Sequence, residues 1–356
     1  MITRVKFQNF KALRNVQIAF ESRLTVIVGP NGSGKTSVLR AVALLGEVAA
    51  GRQVTDVFTG DNSIEYTRSR ENSEPQILEV VSQFEDNTEF IVRVVETNRP
   101  AGKTRNRNLG SDIVLVRKGI ASSLSTVKIP ENELQNAVLL QLDPKKIAAA
   151  SVIGQLPPIT GPDGQGTAST LAYLDRLQRG KFKQAVDALK RVIRNLTDLR
   201  IDYENTGNGV RDALLFDFQG VPGVRAGLAS TGTLLLAGLL SVIYGPTSPN
   251  VILLDDLDYA LHPKGQMELI DILHDVLVAF PQLQIIATSH SPYILDKLSP
   301  NEVRVMALND DGSAVCARLE DHPKYPMWKD SMSPGEFWTH AGEDWVKQLT
   351  PQTVAQ

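Results

Sequence analysis

Cysteine is almost absent from this chain. Cys316 is the single cysteine in 356 residues. One cysteine excludes an internal disulfide and a cysteine-rich zinc site, and it fits a reducing compartment. Cys316 alternates with Ala314 and Arg318, so we expect it to be a packed residue of a β-strand.

Long hydrophobic runs are also lacking. No stretch approaches the roughly 18 uninterrupted apolar residues that a membrane-spanning helix needs. Residues 1–6 alternate between apolar and polar side chains, whereas a signal peptide carries an apolar block. We therefore expect a cytoplasmic protein with no membrane partner. With 42% apolar residues, the chain can still bury the core of one large or two modest domains.

An excess of positive charge is missing as well. The formal net charge is −3, which argues against a protein that coats nucleic acid through its overall field. A local basic patch is still open, because Arg99, Lys103, Arg105 and Arg107 lie together among Pro, Gly and Asn residues. We predict that residues 99–110 form an exposed loop, either simply solvated or in contact with phosphate groups.

What the chain does contain is a glycine-rich turn between an apolar strand pattern, residues 24–28, and a helical pattern. Its glycines at 29, 32 and 34 let successive backbone N–H groups point inward at a polyphosphate, and the following helix adds its positive end. Lys35 would reach the β- and γ-phosphates, and the Thr36 hydroxyl would bind Mg²⁺. This P-loop pattern predicts a nucleotide site contacted by Pro30, Asn31, Gly32, Ser33, Gly34, Lys35, Thr36 and Ser37.

Two further apolar strands end in chemically active side chains. Residues 251–254 form a continuous apolar run followed by Asp255 and Asp256, as in a central parallel strand that delivers carboxylates to its carboxyl edge. Residues 285–288 form a second buried strand, followed by Ser289 and His290. Between the P-loop and these strands, Ser230 and Gly232 open a helix, residues 233–244, that is apolar on nearly every face.

The rest of the sequence contains both strand and helix patterns. Alternation predicts two antiparallel strands before the P-loop strand and a hairpin formed by residues 77–84 and 89–96. One apolar stripe from Leu171 to Leu196, interrupted near Arg179, predicts the strongest helix of the middle of the chain. Strands follow at 199–203 and 213–218, and a terminal hairpin at 303–308 and 314–319.

In their order, these motifs resemble those of ABC-type ATPases of the SMC and RecF kind, in particular small AAA family ATPases related to OLD proteins and to ATPase subunits of bacterial anti-phage systems. The resemblance covers both ends of the chain, and the middle matches only loosely, through Asp163 and Gly164. The matching motifs are Asn9-Phe10-Lys11, the P-loop, Ala229-Ser230-Thr231-Gly232 as signature, Leu254-Asp255-Asp256 as Walker B, Leu261-His262-Pro263, and Thr288-Ser289-His290-Ser291-Pro292.

The resemblance implies a catalytic role for each of Lys35, Asp256 and His290. Asp255 would hold Mg²⁺ together with Thr36, since this cation prefers oxygen ligands. Asp256 stands where the family places a glutamate that polarises the attacking water, and His290 would contact the γ-phosphate. Aspartate is one methylene shorter, so hydrolysis would be slow if the water is poorly reached. The glutamine that often completes such sites is not assigned within residues 52–98.

The resemblance also implies a homodimer. Ser230 and Gly232 would cap the γ-phosphate held by a second subunit, so that ATP is sandwiched between the two copies and its hydrolysis releases them. Assembly beyond a dimer is left open.

The expected fold is therefore an α/β P-loop NTPase: an ABC-ATPase-like head with a mixed β-sheet and an inserted helical lobe. The expected nucleotide-binding core comprises residues 1–98 and 198–310, the inserted lobe 99–197, and the C-terminal extension 311–356. In that extension, Ser333 and Glu336 form a capping box that starts a helix with Phe337, Trp345 and Leu349 on one side. This helix either docks onto its own domain or offers a surface to an effector protein.

Three functions remain. The leading one is an ATP-driven dimerising switch that engages nucleic acid or a phage component and controls a separately encoded effector. The second is a RecF-like DNA repair ATPase. The third is a nucleotide-binding scaffold that hydrolyses ATP very slowly, and its support in the sequence is Asp256.

Overall fold

A computed structural model of the protein describes residues 1–58, 77–86, 89–97, 108–117, 120–123, 133–152, 157–206 and 209–349. The chain divides into two compact units, the first formed by Met1–Ala137 with Gln282–Gln356 and the second by Val138–Pro281. No helix among the described residues is long and apolar enough to span a membrane. The predicted domain boundaries at residues 98, 198 and 310 stay a prediction.

The strands are numbered in chain order. They are β1 (Ile2–Phe10), β2 (Leu13–Ala19), β3 (Leu24–Val28), β4 (Ile77–Phe84), β5 (Glu89–Thr97), β6 (Asn108–Arg117), β7 (Ile120–Ser123), β8 (Ala137–Leu140), β9 (Ser151–Val152), β10 (Leu196–Thr206), β11 (Gly209–Phe218), β12 (Val221–Arg225), β13 (Val251–Leu254), β14 (Gln284–Thr288), β15 (Val303–Leu308) and β16 (Ala314–Arg318).

The α-helices are numbered in the same way. They are α1 (Lys35–Ala49), α2 (Val54–Val57), α3 (Pro144–Ala148), α4 (Thr167–Leu177), α5 (Arg179–Val192), α6 (Thr231–Tyr244), α7 (Pro263–Ala279), α8 (Pro292–Leu295), α9 (Tyr325–Trp328) and α10 (Pro334–Ala341).

The first unit contains an antiparallel sheet in the order β2-β1-β4-β5-β6-β7. The strands β1 and β2 reverse at a turn in which Asn9 and Lys11 both adopt positive φ, 57° and 51°. The predicted hairpin is confirmed as β4 and β5. The prediction that residues 99–110 form a loop is wrong for its last three residues, because β6 begins at Asn108 and pairs with β5. The basic residues of that loop, 99–107, lie outside the described residues.

A second group of strands in the first unit carries the P-loop. Its order is β16-β15-β3-β14, with β3 paired in parallel to both β14 and β15. All five residues of β3 are buried, which its unbroken apolar run predicted. The predicted terminal hairpin is confirmed as β15 and β16. Cys316 lies in β16, as its alternation predicted, and its side chain is half-buried.

The second unit is built around a buried helix. Of the 14 residues of α6, 12 are buried, as its all-round apolar pattern predicted. The predicted stripe from Leu171 is two helices, α4 and α5, separated at Gln178 near the predicted interruption. Leu196 is not part of a helix. It begins β10, because its side chain is buried in the strand pair that β10 forms with β11.

The C-terminal helix is shorter than predicted. The capping box is confirmed: Ser333 Oγ accepts from the Glu336 backbone N–H at 3.3 Å, and a Glu336 carboxylate oxygen accepts from the Ser333 N–H at 3.0 Å. However, α10 ends at Ala341, since Gly342 adopts a φ of 61° that a continuing helix cannot have. Trp345 belongs to a following 3₁₀ turn, and it packs with Phe337 around His322. The aromatic side chains thus dock onto their own unit.

Candidate functional site

The P-loop of the first unit has the backbone shape that its glycines predicted. Gly29, Gly32 and Gly34 have φ values of 145°, 80° and 98°. Gly34 directly precedes α1, and no side chain caps that helix end. The side chain of Lys35 is buried and folds back over the loop, where its ammonium donates to the carbonyl oxygens of Gly29 at 2.9 Å and Pro30 at 3.0 Å. A cation is thus held inside the loop by the loop's own backbone.

Two details show how tightly this loop is built. A Cβ atom at Gly29 would lie 2.2 Å from the carbonyl oxygen of Met306 in β15, so only glycine fits there. The hydroxyl of Ser33 is fully buried and has no hydrogen-bond partner among the described residues. A buried polar atom without a partner costs stability, and a polar ligand in the loop would supply one. The loop therefore fits a phosphate group.

The remaining predicted P-loop contacts lie near its surface. Pro30, Asn31 and Gly32 are exposed at the tip of the turn, and Thr36 is exposed in the first turn of α1. Ser37 follows in the same turn and is half-buried. Thr36 therefore lies at the surface of the unit, as a Mg²⁺-binding role requires.

His290 lies at the same edge of the sheet as the P-loop. In the parallel pair of β14 and β3, Thr288 is opposite Ile27, and the Ser289 N–H donates to the Ile27 carbonyl oxygen at 3.1 Å. β14 ends at Thr288, opposite Ile27, and β3 ends one residue further along, at Val28. Gly29 and the exposed His290 therefore follow the ends of two adjacent strands. The turn at His290 is fixed by a hydrogen bond from the Ser291 N–H to Ser289 Oγ, 3.0 Å. The first unit therefore brings the P-loop and the histidine together.

In the second unit, the two acids follow β13 as predicted. Asp255 is half-buried and Asp256 is exposed. Asp256 adopts a φ of 51°, in the left-handed region, and its carbonyl accepts from the Tyr259 N–H at 2.9 Å. Asparagine and aspartate tolerate this backbone conformation better than other non-glycine residues do. The tight turn after β13 thus gives a physical reason for the shorter acid at this position.

Ser230 caps the start of α6. Its hydroxyl accepts from the Thr233 backbone N–H at 3.2 Å, and it lies 2.8 Å from the Thr233 hydroxyl. Ser230 itself is exposed, whereas Gly232 is buried. A Cβ atom at Gly232 would lie 2.5 Å from the carbonyl oxygen of Ala260, in the loop that follows Asp256. Glycine at 232 is therefore required by contact inside the chain, a reason that the sequence did not reveal.

One candidate residue was missed by the sequence analysis. Gln141 directly follows β8, the strand beside β13, and its backbone N–H donates to the Pro162 carbonyl at 2.9 Å. Gln141, Gly232, Asp255 and Asp256 line one cavity of about 400 Å³ in the second unit, together with leucines of α6. The available signal was a polar side chain at the end of a short apolar strand, just before the Asp143-Pro144 helix start.

The donors present suit Mg²⁺ only in combination with a nucleotide. Among the described residues, no three His, Cys, Asp or Glu side chains cluster to hold a metal ion. Thr36 and Asp255 each offer an oxygen, and Mg²⁺ in phosphate sites is commonly held by one or two protein oxygens plus phosphate oxygens and water. Thr36 and Asp255 thus remain candidate ligands of Mg²⁺.

The fold is that of the ABC-type ATPase heads of the SMC kind. The structure is similar to the crystal structure of an SMC head bound to the C-terminal winged-helix domain of ScpA, with a TM-score of 0.59 and 17% identity, covering 90% of this chain and 98% of that chain. The predicted fold class is confirmed.

The chain belongs to the family described as "AAA domain, putative AbiEii toxin, Type IV TA system", whose model matches residues 24–296. It is 22% identical over 327 residues to the Septu protein PtuA of Bacillus mycoides, covering 88% of this chain and 41% of that protein. It is 41% identical over 59 residues to the DNA replication and repair protein RecF of Vibrio vulnificus, covering 17% of this chain and 16% of that protein. The chain thus spans less than half the length of these relatives. The predicted resemblance to ATPases of the SMC and RecF kind is confirmed.

Proposed function

We propose that this protein is an ATP-binding and ATP-hydrolysing switch that dimerises around nucleotide and serves as the ATPase component of an anti-phage defence system. The observation that carries the proposal is the P-loop. It has three glycines at positive φ, an orphaned Ser33 hydroxyl, and a Lys35 ammonium held by loop carbonyls. The similarity to a Septu protein over 88% of this chain supports the defence role.

The loop would bind the triphosphate by exchanging protein contacts for phosphate contacts. The Lys35 ammonium would leave the carbonyl oxygens of Gly29 and Pro30 for phosphate oxygens, which are stronger acceptors because they are charged. Thr36 and Asp255 would supply protein oxygens to Mg²⁺, which neutralises charge on the phosphates when it is bound. The N-terminal end of α1 adds favourable backbone N–H groups.

Asp256 would orient the attacking water and accept its proton, and His290 would contact the γ-phosphate. General-base catalysis of this kind contributes roughly 10²–10⁴-fold to a rate. The left-handed backbone at Asp256 fixes the direction in which the short carboxylate leaves the chain. This feature supports the alternative function of a scaffold with very slow hydrolysis, because a short acid held in one direction reaches water poorly.

Ser230 and the first turn of α6 would cap the γ-phosphate bound by a second copy. Ser230 is exposed, so its cap is accessible to a partner. This arrangement would form a head-to-tail homodimer with two ATP molecules between the copies. A separately encoded effector and nucleic acid are the partners that we propose for the dimer.

Light scattering on the full chain tests this function. The D256N variant should retain ATP and be a dimer with ATP and Mg²⁺ and a monomer without them. The K35A variant should stay monomeric in both conditions. If the mass of D256N is the same with and without ATP, as that of K35A should be, the switch is contradicted. Stimulation of turnover by gapped DNA alone would instead favour the RecF-like repair function.

A further inference from the structure

The second unit contains a cleft away from the Walker B turn. It has a volume of about 450 Å³ and is lined by α3, β9, β11, the loop before α4 and the first turn of α4. Two of its described lining residues, Lys146 and Arg211, are cationic, and none is acidic. A concave site with charge of one sign attracts ligands of the opposite sign.

Arg211 is the residue that gives this cleft a chemical preference. Its Nε is buried and has no hydrogen-bond partner among the described residues. The adjacent carboxylate, Asp212, forms an ion pair with Arg176 through one oxygen, and its other oxygen has no hydrogen-bond partner among the described residues, so that oxygen is not bonded to Arg211. Glu204 lies opposite Arg211 in the β10–β11 register, but it is exposed and does not line the cleft. The Arg211 side chain as a whole is half-buried, but a buried N–H without a partner costs stability, which a bound anion would recover.

Lys146 supplies the second charge at the mouth of the cleft. Its ammonium lies 2.5 Å from a carboxylate oxygen of Asp163, and this hydrogen bond raises the pKa of Lys146. The lysine is therefore charged at neutral pH and is held in place by the loop that precedes α4.

The floor of the cleft is preorganised. At Gly166, which precedes α4, φ is 89° and a Cβ atom would lie 2.7 Å from the Ile159 carbonyl oxygen, so the backbone runs close to the cleft wall. The hydroxyl of Thr160 lies 3.0 Å from both the Thr170 and the Ser241 hydroxyls, which ties the loop to α4 and to α6. A rigid site spends less free energy on ordering when a ligand binds.

We propose that this cleft binds a phosphate group, with Arg211 as its main contact and Lys146 as its second charge. Arginine presents several N–H donors in a planar fork that matches the oxygens of phosphate. The same chemistry is offered by free phosphate, as in a small phosphorylated molecule, and by the phosphodiester backbone of nucleic acid. None of the lining residues belongs to the P-loop, and the proposal does not rest on the function proposed above.

The test uses full-length protein with the P-loop lysine removed, K35A, so that phosphate bound by that loop does not contribute. Inorganic phosphate binding is measured by calorimetry at constant ionic strength, and binding of a short DNA duplex by fluorescence anisotropy. The test variant adds R211Q. The matched control adds R179Q, which removes an exposed arginine at the start of α5, outside the cleft.

We expect R211Q to weaken phosphate or DNA binding at least about tenfold, as the loss of a charge-assisted contact does, and R179Q to leave it unchanged. An effect of R211Q on DNA identifies nucleic acid as the source of the phosphate, and an effect on inorganic phosphate alone identifies a small molecule. R211Q should also melt no lower than its parent. Equal binding of both ligands by R211Q and its parent would overturn the proposal, as would a lower melting temperature without any loss of binding.

Discussion

Replacing Gly232 by alanine separates two explanations for a glycine at the start of α6. If the glycine serves only a ligand or a partner copy, alanine should stabilise the helix, because alanine is favoured over glycine by up to about 1 kcal/mol in helices. The structure predicts the opposite. The new Cβ would lie 2.5 Å from the Ala260 carbonyl oxygen and 3.2 Å from Leu261 Cδ2. The first of these neighbours is backbone, which cannot rotate away.

The magnitude follows from these two opposing effects. Overpacking of this kind costs about 1–3 kcal/mol, which outweighs the gain in helix propensity. We expect a net loss of up to about 2 kcal/mol and a melting temperature lower by about 2–4 °C for each kcal/mol lost. The displaced loop also carries Asp256 four residues earlier, so ATP turnover should fall in the same variant.

Gly180 offers a matched control for this measurement. It is the second residue of α5, as Gly232 is of α6, but a Cβ atom there would meet nothing within 4 Å. G180A should therefore melt at the same temperature as the parent or higher. Thermal unfolding of the two variants side by side decides the matter. If G232A is as stable as G180A, the contact with Ala260 does not set the identity of residue 232.

The other predictions concern the P-loop, the acid after β13 and the C-terminal aromatic cluster. K35A should lower affinity for a fluorescent ATP analogue by at least about tenfold, because it removes a charge-assisted contact; unchanged affinity would show that this loop does not bind the nucleotide. D256N should keep its melting temperature, since asparagine also tolerates a φ of 51°, and should lose roughly 10²–10⁴-fold in turnover; a fully active variant would exclude Asp256 as the base. Burial and, to a smaller extent, the charge of Lys324 lower the pKa of His322 below its ordinary value of 6.5. The folded state therefore binds a proton at His322 less readily than the unfolded state does. The stability that neutral His322 contributes is present above pH 6.5, and it should fall as the pH drops below that value. The fluorescence of Trp345, which contacts His322, reports this loss in urea at several pH values, and H322Q should remove the dependence; an unchanged slope in that variant would contradict it.

Much of the fold could be predicted because its signals are local. The P-loop glycines, the apolar run of β3 and the capping box at Ser333 each specify their backbone within a few residues. The two acids after Leu254 were predicted at the end of a buried strand for the same reason: an unbroken apolar run indicates a strand covered on both faces.

The misses depend on contacts between residues distant in sequence. Leu196 continues a helical stripe but pairs instead with Phe218 of β11, since strand pairing outweighs local pattern there. Trp345 has helical spacing from Phe337, yet Gly342 ends the helix and lets the chain fold back. The contact of Gly232 with Ala260 and the place of Gln141 beside the acids become visible only once the second unit is folded.

The central claim is that two copies complete each other's ATP site. Mixing two inactive variants, K35A and S230R, tests it most directly. In a head-to-tail dimer, a mixed pair contains one site with an intact P-loop and an intact Ser230 cap, so the mixture should hydrolyse ATP although neither variant does so alone. If the mixture stays as inactive as its components while both remain folded, the two motifs do not act on one nucleotide across a dimer.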